Sequence, residues 1–208
     1  MRNNNNLDNI KLSKGLIALG GNIGEGKTTF ILKLANHIAK NENVLFVTYE
    51  DYSGMLKHLI GEKEVSKNLK FDNLMEYYEN SMTIELIKQI EQNSISTVII
   101  DSIDYLTLEN DNINYAIADL KHIAKMFDIR IVFTVNIVKS DIETSRNRPQ
   151  LRDFKSRRLV NECDEIYAIY RPKYYGFEED SEGNKYSDDY MELYSLKNSD
   201  NIQKEIDI

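Results

Sequence analysis

The chain has 208 residues, of which 41% are apolar, so it is long enough to bury a sizeable hydrophobic core. Its net charge of -8, from 26 basic and 34 acidic residues, argues against a dedicated nucleic-acid-binding protein, which would usually be basic. No apolar run approaches a membrane span, and the start "MRNNNNLDN" lacks the apolar core of a secretory signal. Cys163 has no cysteine partner for an internal disulfide, and no Cys/His cluster indicates zinc. These features predict a cytoplasmic protein without a membrane segment.

Short apolar runs alternate with amphipathic stretches along the whole chain, which predicts an α/β fold with a mainly parallel sheet covered by helices on both faces. The last two runs flank an acidic, turn-rich segment and favour an antiparallel hairpin at the sheet edge. We predict one domain over residues 10–208 and a disordered N-terminus over residues 1–9. In chain order the predicted elements are strand 16–19, helix 28–40, strand 44–49, helices 55–60 and 83–92, strand 97–101, helix 113–127, and strands 130–135, 164–171 and 190–196.

The stretch "GGNIGEGKTTF", residues 20–30, lies between the first strand and the first helix and has the pattern of a phosphate-binding loop. Such a loop predicts a bound nucleoside triphosphate, because its backbone N–H groups and the positive end of the helix attract phosphate. Lys27 is expected to reach the β- and γ-phosphates, and the hydroxyl of Thr28 is expected to bind Mg²⁺. The predicted nucleotide-binding residues are Gly21, Asn22, Ile23, Gly24, Glu25, Gly26, Lys27, Thr28 and Thr29.

Polar side chains follow three later strands, and the carboxyl ends of the strands are where an open α/β sheet binds its ligands. Asp101 ends the strand "TVIID" and is the expected second Mg²⁺ contact. Glu50, after the second strand, is a candidate for activating the attacking water, with Asp51 as its competitor. Asn136 ends the strand "RIVFTV", where an amide would sense the γ-phosphate or simply form a turn.

A basic segment follows Asn136. Residues 139–158 contain seven basic and three acidic side chains, in contrast to the acidic chain as a whole. Because it follows a strand end, this segment is expected at the same edge of the sheet as the phosphate loop. The charge favours contact with a phosphate backbone, with an ordinary solvated surface as the alternative.

Together these residues resemble the RecA-like ATPase domain of DnaB-type replicative DNA helicases, over about residues 10–198. The motifs that carry the resemblance are "TYED" for the catalytic glutamate, "VIID" for the Walker B strand, "VNI" for the γ-phosphate amide, "RPQLRDFK" and "IYRPKYY". The first half of the chain would equally suit the KaiC and RadA relatives. The resemblance implies an ATPase that uses ATP and Mg²⁺, with Glu50, Lys27 and Asn136 as its catalytic residues.

The resemblance also implies partners. In the family, the segment matching "RPQLRDFK" and the residues after it lines the pore of a ring and holds single-stranded DNA. The residues implied to bind DNA here are Lys139, Arg148, Lys155, Arg157 and Arg158. A hexameric homo-oligomeric ring, or a mixed ring with a helicase, is the expected assembly.

The match departs from the family at "SLKNSD". Lys197 matches a lysine that reaches the ATP site of the neighbouring subunit, but Ser199 stands where the family has an arginine finger. We therefore expect slow hydrolysis or a finger from another source. The chain also carries no match to the family's N-terminal domain.

Two alternatives to a helicase or translocase remain open. One is a non-motor ATP switch, of the KaiC kind or regulating or loading a replicative helicase. The other is a small-molecule kinase, which the position of the basic segment disfavours.

Overall fold

The structure is a computed structural model. It describes residues 7–48, 52–61, 64–73, 82–104, 113–137, 148–188, 190–198 and 205–207.

A single twisted sheet runs through the described part of the chain. Its strands are β1 (Gly15–Gly21), β2 (Val44–Thr48), β3 (Leu69–Asn73), β4 (Thr97–Asp101), β5 (Arg130–Asn136), β6 (Glu165–Tyr170), β7 (Glu192–Lys197) and β8 (Glu205–Asp207). They lie in the order β3-β2-β4-β5-β1-β6-β7-β8. Strands β1 to β6 are mutually parallel, whereas β7 and β8 add two antiparallel pairings at one end.

Helices cover both faces of this sheet. They are α1 (Lys27–Ile38), α2 (Tyr52–Ile60), α3 (Met82–Asn93), α4 (Ile113–Phe127) and α5 (Arg157–Glu162). None of these helices combines the length and the apolar character that crossing a membrane requires.

The central strand β1 supplies side chains to both faces, because successive residues of a strand point in opposite directions. Leu16 and Ala18 belong to the core layer beneath α3, α4 and α5, whereas Ile17 and Leu19 pack with α1 and α2. All four are at most 3% exposed. Burying a side chain such as Leu16 stabilises the fold by about 1.5–3 kcal/mol, which explains why "LIAL" is apolar on both faces.

The α/β fold, the mainly parallel sheet and the antiparallel pairing of the last predicted strands are confirmed. Two strands were missed by the sequence analysis, and both lie at the ends of the sheet. In β3 only Leu69 is buried, and Lys70 and Asp72 interrupt the apolar pattern. Because β8 pairs outside β7, the predicted hairpin is not the outermost element. Within the N-terminus predicted to be disordered, Leu7–Asn9 form a short 3-10 helix, and residues 1–6 lie outside the described residues.

The strand order brings the predicted site residues together. Asn136, the last residue of β5, lies opposite Gly21, the last residue of β1. Asp101 ends β4, and β5 lies between β4 and β1 in the sheet. The carboxyl ends of three adjacent strands therefore present the phosphate loop, a carboxylate and an amide at one edge.

Candidate nucleotide site

The loop between β1 and α1 has the backbone that its glycines predict. Gly24 and Gly26 have φ angles of +85° and +90°, in the left-handed region that side chains other than glycine rarely adopt. A Cβ atom at Gly26 would also lie 3.0 Å from the terminal methyl group of Met191. Gly26 occupies the N-cap of α1, and the first turn of the helix carries no acidic side chain. The positive end of a twelve-residue helix therefore faces the loop without a carboxylate of its own first turn to oppose an anion.

The ammonium group of Lys27 holds the loop closed. Its Nζ donates to the carbonyl oxygens of Gly21 and Asn22, both at 2.9 Å, and the residue is only 9% exposed. Burial lowers the pKa of Lys27 below its ordinary 10.5, and the nearby carboxylates of Glu25, Asp101 and Asp104 oppose that shift. A phosphate group entering the loop would offer this cation a charged partner in place of two neutral carbonyls.

Thr28 and Asp101 converge although they are far apart in sequence. The Thr28 hydroxyl donates to Oδ2 of Asp101 at 2.8 Å, and Thr134 also donates to this carboxylate. Asp101 is 4% exposed, so burial holds it in place. A hydroxyl and a carboxylate are hard oxygen ligands of the kind that Mg²⁺ binds together with nucleotide phosphates, so the pair fits the predicted metal.

Asn136 lies beside the loop, where its amide contacts a residue that the sequence analysis did not select. Its backbone N–H and its Nδ2 both donate to Oδ2 of Asp104, each at 2.9 Å. The next residue, Ile137, donates its N–H to the carbonyl of Gly21 at 3.2 Å. The only sequence signal for Asp104 is a second carboxylate in "IIDSID", three residues after Asp101.

Glu25 has a role that the sequence analysis missed, because a loop position suggested only a backbone contact. Its side chain is fully buried and accepts a hydrogen bond from the N–H of Asn22 at 2.6 Å. The Tyr175 hydroxyl donates to the other carboxylate oxygen and accepts from Nδ2 of Asn22 at 2.5 Å. Burial, followed by the hydrogen bond to Glu25, raises the pKa of Tyr175. The adjacent Tyr174 donates to the carbonyl of Ile23 at 3.0 Å, so the segment after β6 braces the outer half of the phosphate loop.

The basic residues predicted to bind DNA fall into two groups in the described chain. The guanidinium of Arg148 pairs with the buried Glu192 (Nε to Oε2, 3.3 Å) and lies 5.2 Å from the ring centroid of Tyr194. The second group, Lys155, Arg157 and Arg158, lies around the start of α5 and is exposed, as Arg148 is. The Nε atom of Arg158 lies 3.8 Å from Oε1 of Glu162, one turn further along the helix, which is a long ion pair. Ser156 caps α5 by accepting a hydrogen bond from the N–H of Leu159, which fixes where the helix presents these cations.

Lys197 lies inside the chain's own fold. Its Nζ donates to the carbonyl oxygens of Val160, Asn161 and Cys163 at 2.9, 3.1 and 2.6 Å, at the end of α5. To reach a neighbouring subunit, as the sequence resemblance implies, it would have to leave these three acceptors. The predicted catalytic residue Glu50, the predicted DNA contact Lys139 and the finger position Ser199 lie outside the described residues.

No protein-family profile and no curated protein matches the sequence, but solved structures match the fold. A DnaB-like replicative helicase, from a study of its interactions with primase, superposes with a TM-score of 0.71 at 21% identity. The match covers 93% of this chain, and the chain spans 56% of that protein. An ATPase domain matches with a TM-score of 0.69 at 21% identity, covering 93% of this chain and 80% of the domain.

A KaiC-like protein from the hyperthermophilic archaeon Pyrococcus horikoshii OT3 is also similar. It has a TM-score of 0.62 at 15% identity, and the match covers 94% of this chain and 84% of that protein. Helicase-like and KaiC-like structures thus share the arrangement of sheet and helices described above. The chain therefore has the RecA-like α/β fold, with a phosphate loop at the carboxyl end of its central strand.

Proposed function

We propose that this chain is an ATP-binding and ATP-hydrolysing domain that acts on single-stranded DNA as a DnaB-like helicase or translocase. The observation that carries the proposal is the 2.8 Å contact between Thr28 and Asp101 beside the Lys27 loop. It joins the two expected magnesium contacts at the positive end of α1. The structural similarity to a DnaB-like replicative helicase and to an ATPase domain supports the same conclusion.

In this proposal the loop binds the triphosphate through its backbone N–H groups, from Gly24 to Thr29, and Lys27 contacts the β- and γ-phosphates. Magnesium, held by Thr28 and Asp101, would neutralise charge on the phosphate oxygens. Glu50 orients and activates the attacking water, and Asn136 contacts the γ-phosphate side. Each role is proposed because its residue ends a parallel strand or follows one closely in the sequence.

The proposed DNA contact is the exposed group Lys155, Arg157 and Arg158, with Arg148 and Lys139 in the same basic segment. These cations lie on an otherwise acidic protein, so they would concentrate affinity at one surface. We propose that the working assembly is a cytoplasmic hexameric ring of this chain, or a mixed ring with a helicase. In such a ring the basic segment would line the pore.

A non-motor ATP switch is the second candidate, and Lys197 favours it. The three carbonyl contacts of its ammonium group keep this cation within its own subunit. Ser199 stands where the family has its arginine finger. Neither position would then supply a positive charge to the ATP site of a neighbouring subunit. Such a protein would bind ATP and turn it over slowly while regulating or loading a true helicase.

The first test is nucleotide binding and turnover with and without single-stranded DNA. Lys27→Ala should abolish Mg·ATP binding while leaving a cooperative thermal unfolding transition, since the ammonium group of Lys27 bonds to two loop carbonyls and not to the hydrophobic core. Wild-type protein that fails to bind Mg·ATP, or a Lys27→Ala variant that binds it normally, would contradict the proposal.

The test of DNA binding compares two triple variants that each lose three positive charges. Changing Lys155, Arg157 and Arg158 to Ala should weaken single-stranded DNA binding and lower its salt dependence by about two units of slope, since each phosphate contact contributes about 0.7. The control changes the exposed Lys40, Lys57 and Lys67 to Ala, which removes the same charge elsewhere. Equal losses in both variants would refute a localised DNA surface.

The third arm separates motor from switch by measuring ATP turnover against protein concentration with single-stranded DNA present. A cooperative rise indicates sites completed between subunits and supports the motor. A stable monomer with negligible turnover at every concentration supports the switch.

A further inference from the structure

Asp104 gathers polar groups beside the phosphate loop. One of its carboxylate oxygens, Oδ2, accepts three hydrogen bonds: from the N–H of Asn136 (2.9 Å), from Nδ2 of Asn136 (2.9 Å) and from the hydroxyl of Ser102 (3.1 Å). The N–H of Asp104 donates in turn to the Ser102 hydroxyl at 3.2 Å. The carboxylate is thus fixed against its own short turn and accepts two hydrogen bonds from Asn136 on the neighbouring strand.

These hydrogen bonds determine the orientation of the Asn136 side-chain amide. A carboxylate oxygen in the ionised state can only accept hydrogen bonds, so the NH₂ end of the amide must point towards Asp104. Because the same oxygen also takes the backbone N–H of Asn136, the side chain is bound to its own backbone through one shared acceptor. Rotation of the amide would break a charge-assisted hydrogen bond, which is stronger than a hydrogen bond between neutral groups.

The orientation of this amide matters because Asn136 lies beside the phosphate loop. It lies opposite Gly21 at the start of the phosphate loop, and Asp104 is close enough to Lys27 to act on its charge. An amide nitrogen carries two N–H groups. Among the described residues, Asp104 is the acceptor that Nδ2 of Asn136 contacts, which uses one of the two.

We propose that Asp104 is a positioning residue of the nucleotide site, which holds the Asn136 amide so that its second N–H faces the γ-phosphate. The inference rests on the proposed ATP function and extends it to a residue outside the phosphate loop. In this role Asp104 acts through its two hydrogen bonds with Asn136 and not by direct contact with the nucleotide. The site then distinguishes ATP from ADP by one oriented hydrogen bond.

The test is a double-mutant cycle on nucleotide discrimination. Affinities for Mg·ADP and for the slowly hydrolysed analogue Mg·ATPγS are measured for wild type, Asp104→Ala, Asn136→Ala and the double variant. Each single variant should weaken ATPγS binding about tenfold and leave ADP binding within about twofold. The double variant should be no weaker than either single variant, because both changes remove the same interaction.

Asp104→Asn is the conservative variant, since its amide oxygen can still accept from Asn136, and it should restore most of the discrimination. If the alanine variant fails to fold, Asp104→Leu replaces it in the cycle, because leucine is close to aspartate in size and cannot accept a hydrogen bond from Asn136. A purely structural role for Asp104 would weaken ADP and ATPγS binding alike. Equal loss of both, or an additive loss of about a hundredfold in the double variant, overturns the inference.

Failure of the proposed function looks different. If wild-type protein binds neither nucleotide, the ATP proposal falls and the role of Asp104 falls with it. If wild type binds both nucleotides but the cycle is additive, the ATP proposal stands and only the role of Asp104 is refuted.

Discussion

Replacing Tyr175 with Phe tests whether the segment after β6 braces the phosphate loop. The change removes one hydroxyl, which donates to the fully buried carboxylate of Glu25 and accepts from the Asn22 side chain. The ring itself stays, so its stacking on Tyr170, with centroids 5.2 Å apart, is retained. The carboxylate of Glu25, which water does not reach, loses one of its hydrogen-bond donors and keeps the N–H of Asn22.

The expected cost follows from that burial. Leaving a buried charged acceptor short of a partner costs about 2–3 kcal/mol, whereas a neutral, solvated hydrogen bond contributes only about 0.5–1 kcal/mol. For a domain of this size, each kcal/mol lowers the melting temperature by about 2–4 °C. Tyr175→Phe should therefore lower Tm by roughly 4–12 °C and weaken Mg·ATP binding, because the loop loses its brace.

Tyr174→Phe is the matched control. It removes the same atom from the adjacent residue, but that hydroxyl donates to the neutral carbonyl of Ile23, and Tyr174 is 55% exposed. Its Tm should fall by no more than about 4 °C, since water replaces the lost partner. Differential scanning calorimetry measures both variants. Equal shifts, or an unchanged cost of Tyr175→Phe in a Glu25→Gln background, would refute the brace.

Three further predictions concern the rest of the fold. Lys197→Met should lower the free energy of unfolding by about 2 kcal/mol in a urea titration, since the ammonium group of Lys197 donates to three carbonyls at the end of α5. A variant as stable as wild type would contradict this role. Lys155→Met is the control, because Lys155 is exposed. Burial raises the pKa of the Cys163 thiol to about 12, so it should resist a thiol reagent at pH 8 until the protein unfolds, and rapid labelling of the native protein would show the thiol to be accessible. Burial alone would raise the pKa of Glu42, but hydrogen bonds from Arg130, Ser96 and Thr97 outweigh it and hold that pKa below its ordinary 4.5. Wild type should therefore exceed Glu42→Gln in stability by about 1 kcal/mol above pH 4.5 and lose this advantage as the pH falls through the lowered pKa, whereas a constant difference would mean that the charge contributes nothing.

The parts of the fold that the sequence predicts are those governed by short-range pattern. The apolar runs of β1, β4 and β5 are buried on both faces, so their composition alone distinguishes them from the helices. Strand β3 escaped because edge strands need only one buried side chain, and "LKFDN" supplies only Leu69. Strand β8 has three residues, too few for any periodicity to be visible.

The residues of the site also differ in how far their roles could be predicted from local sequence. Lys27, Thr28 and Asp101 were predicted because their spacing to glycines or to a strand end is local, and the fold brings them together. Glu25 was predicted only as a member of the phosphate loop, and Asp104 was not selected, because the side-chain partners of both lie far along the chain. Tyr175 is 150 residues from Glu25, and Asn136 is 32 residues from Asp104. No pattern within a motif carries such a pairing.

Lys197 shows the limit of transferring a role by alignment alone. The resemblance assigns this cation to a neighbouring subunit, but in this chain the end of α5 offers it three carbonyl acceptors at 2.6–3.1 Å. Unpaired carbonyls at a helix end attract a cation, and three hydrogen bonds to one ammonium group satisfy its three donors. A role in catalysis between subunits would need a ring contact strong enough to compete with all three. The stability of Lys197→Met as the isolated chain therefore bears directly on whether this protein is a motor or a switch.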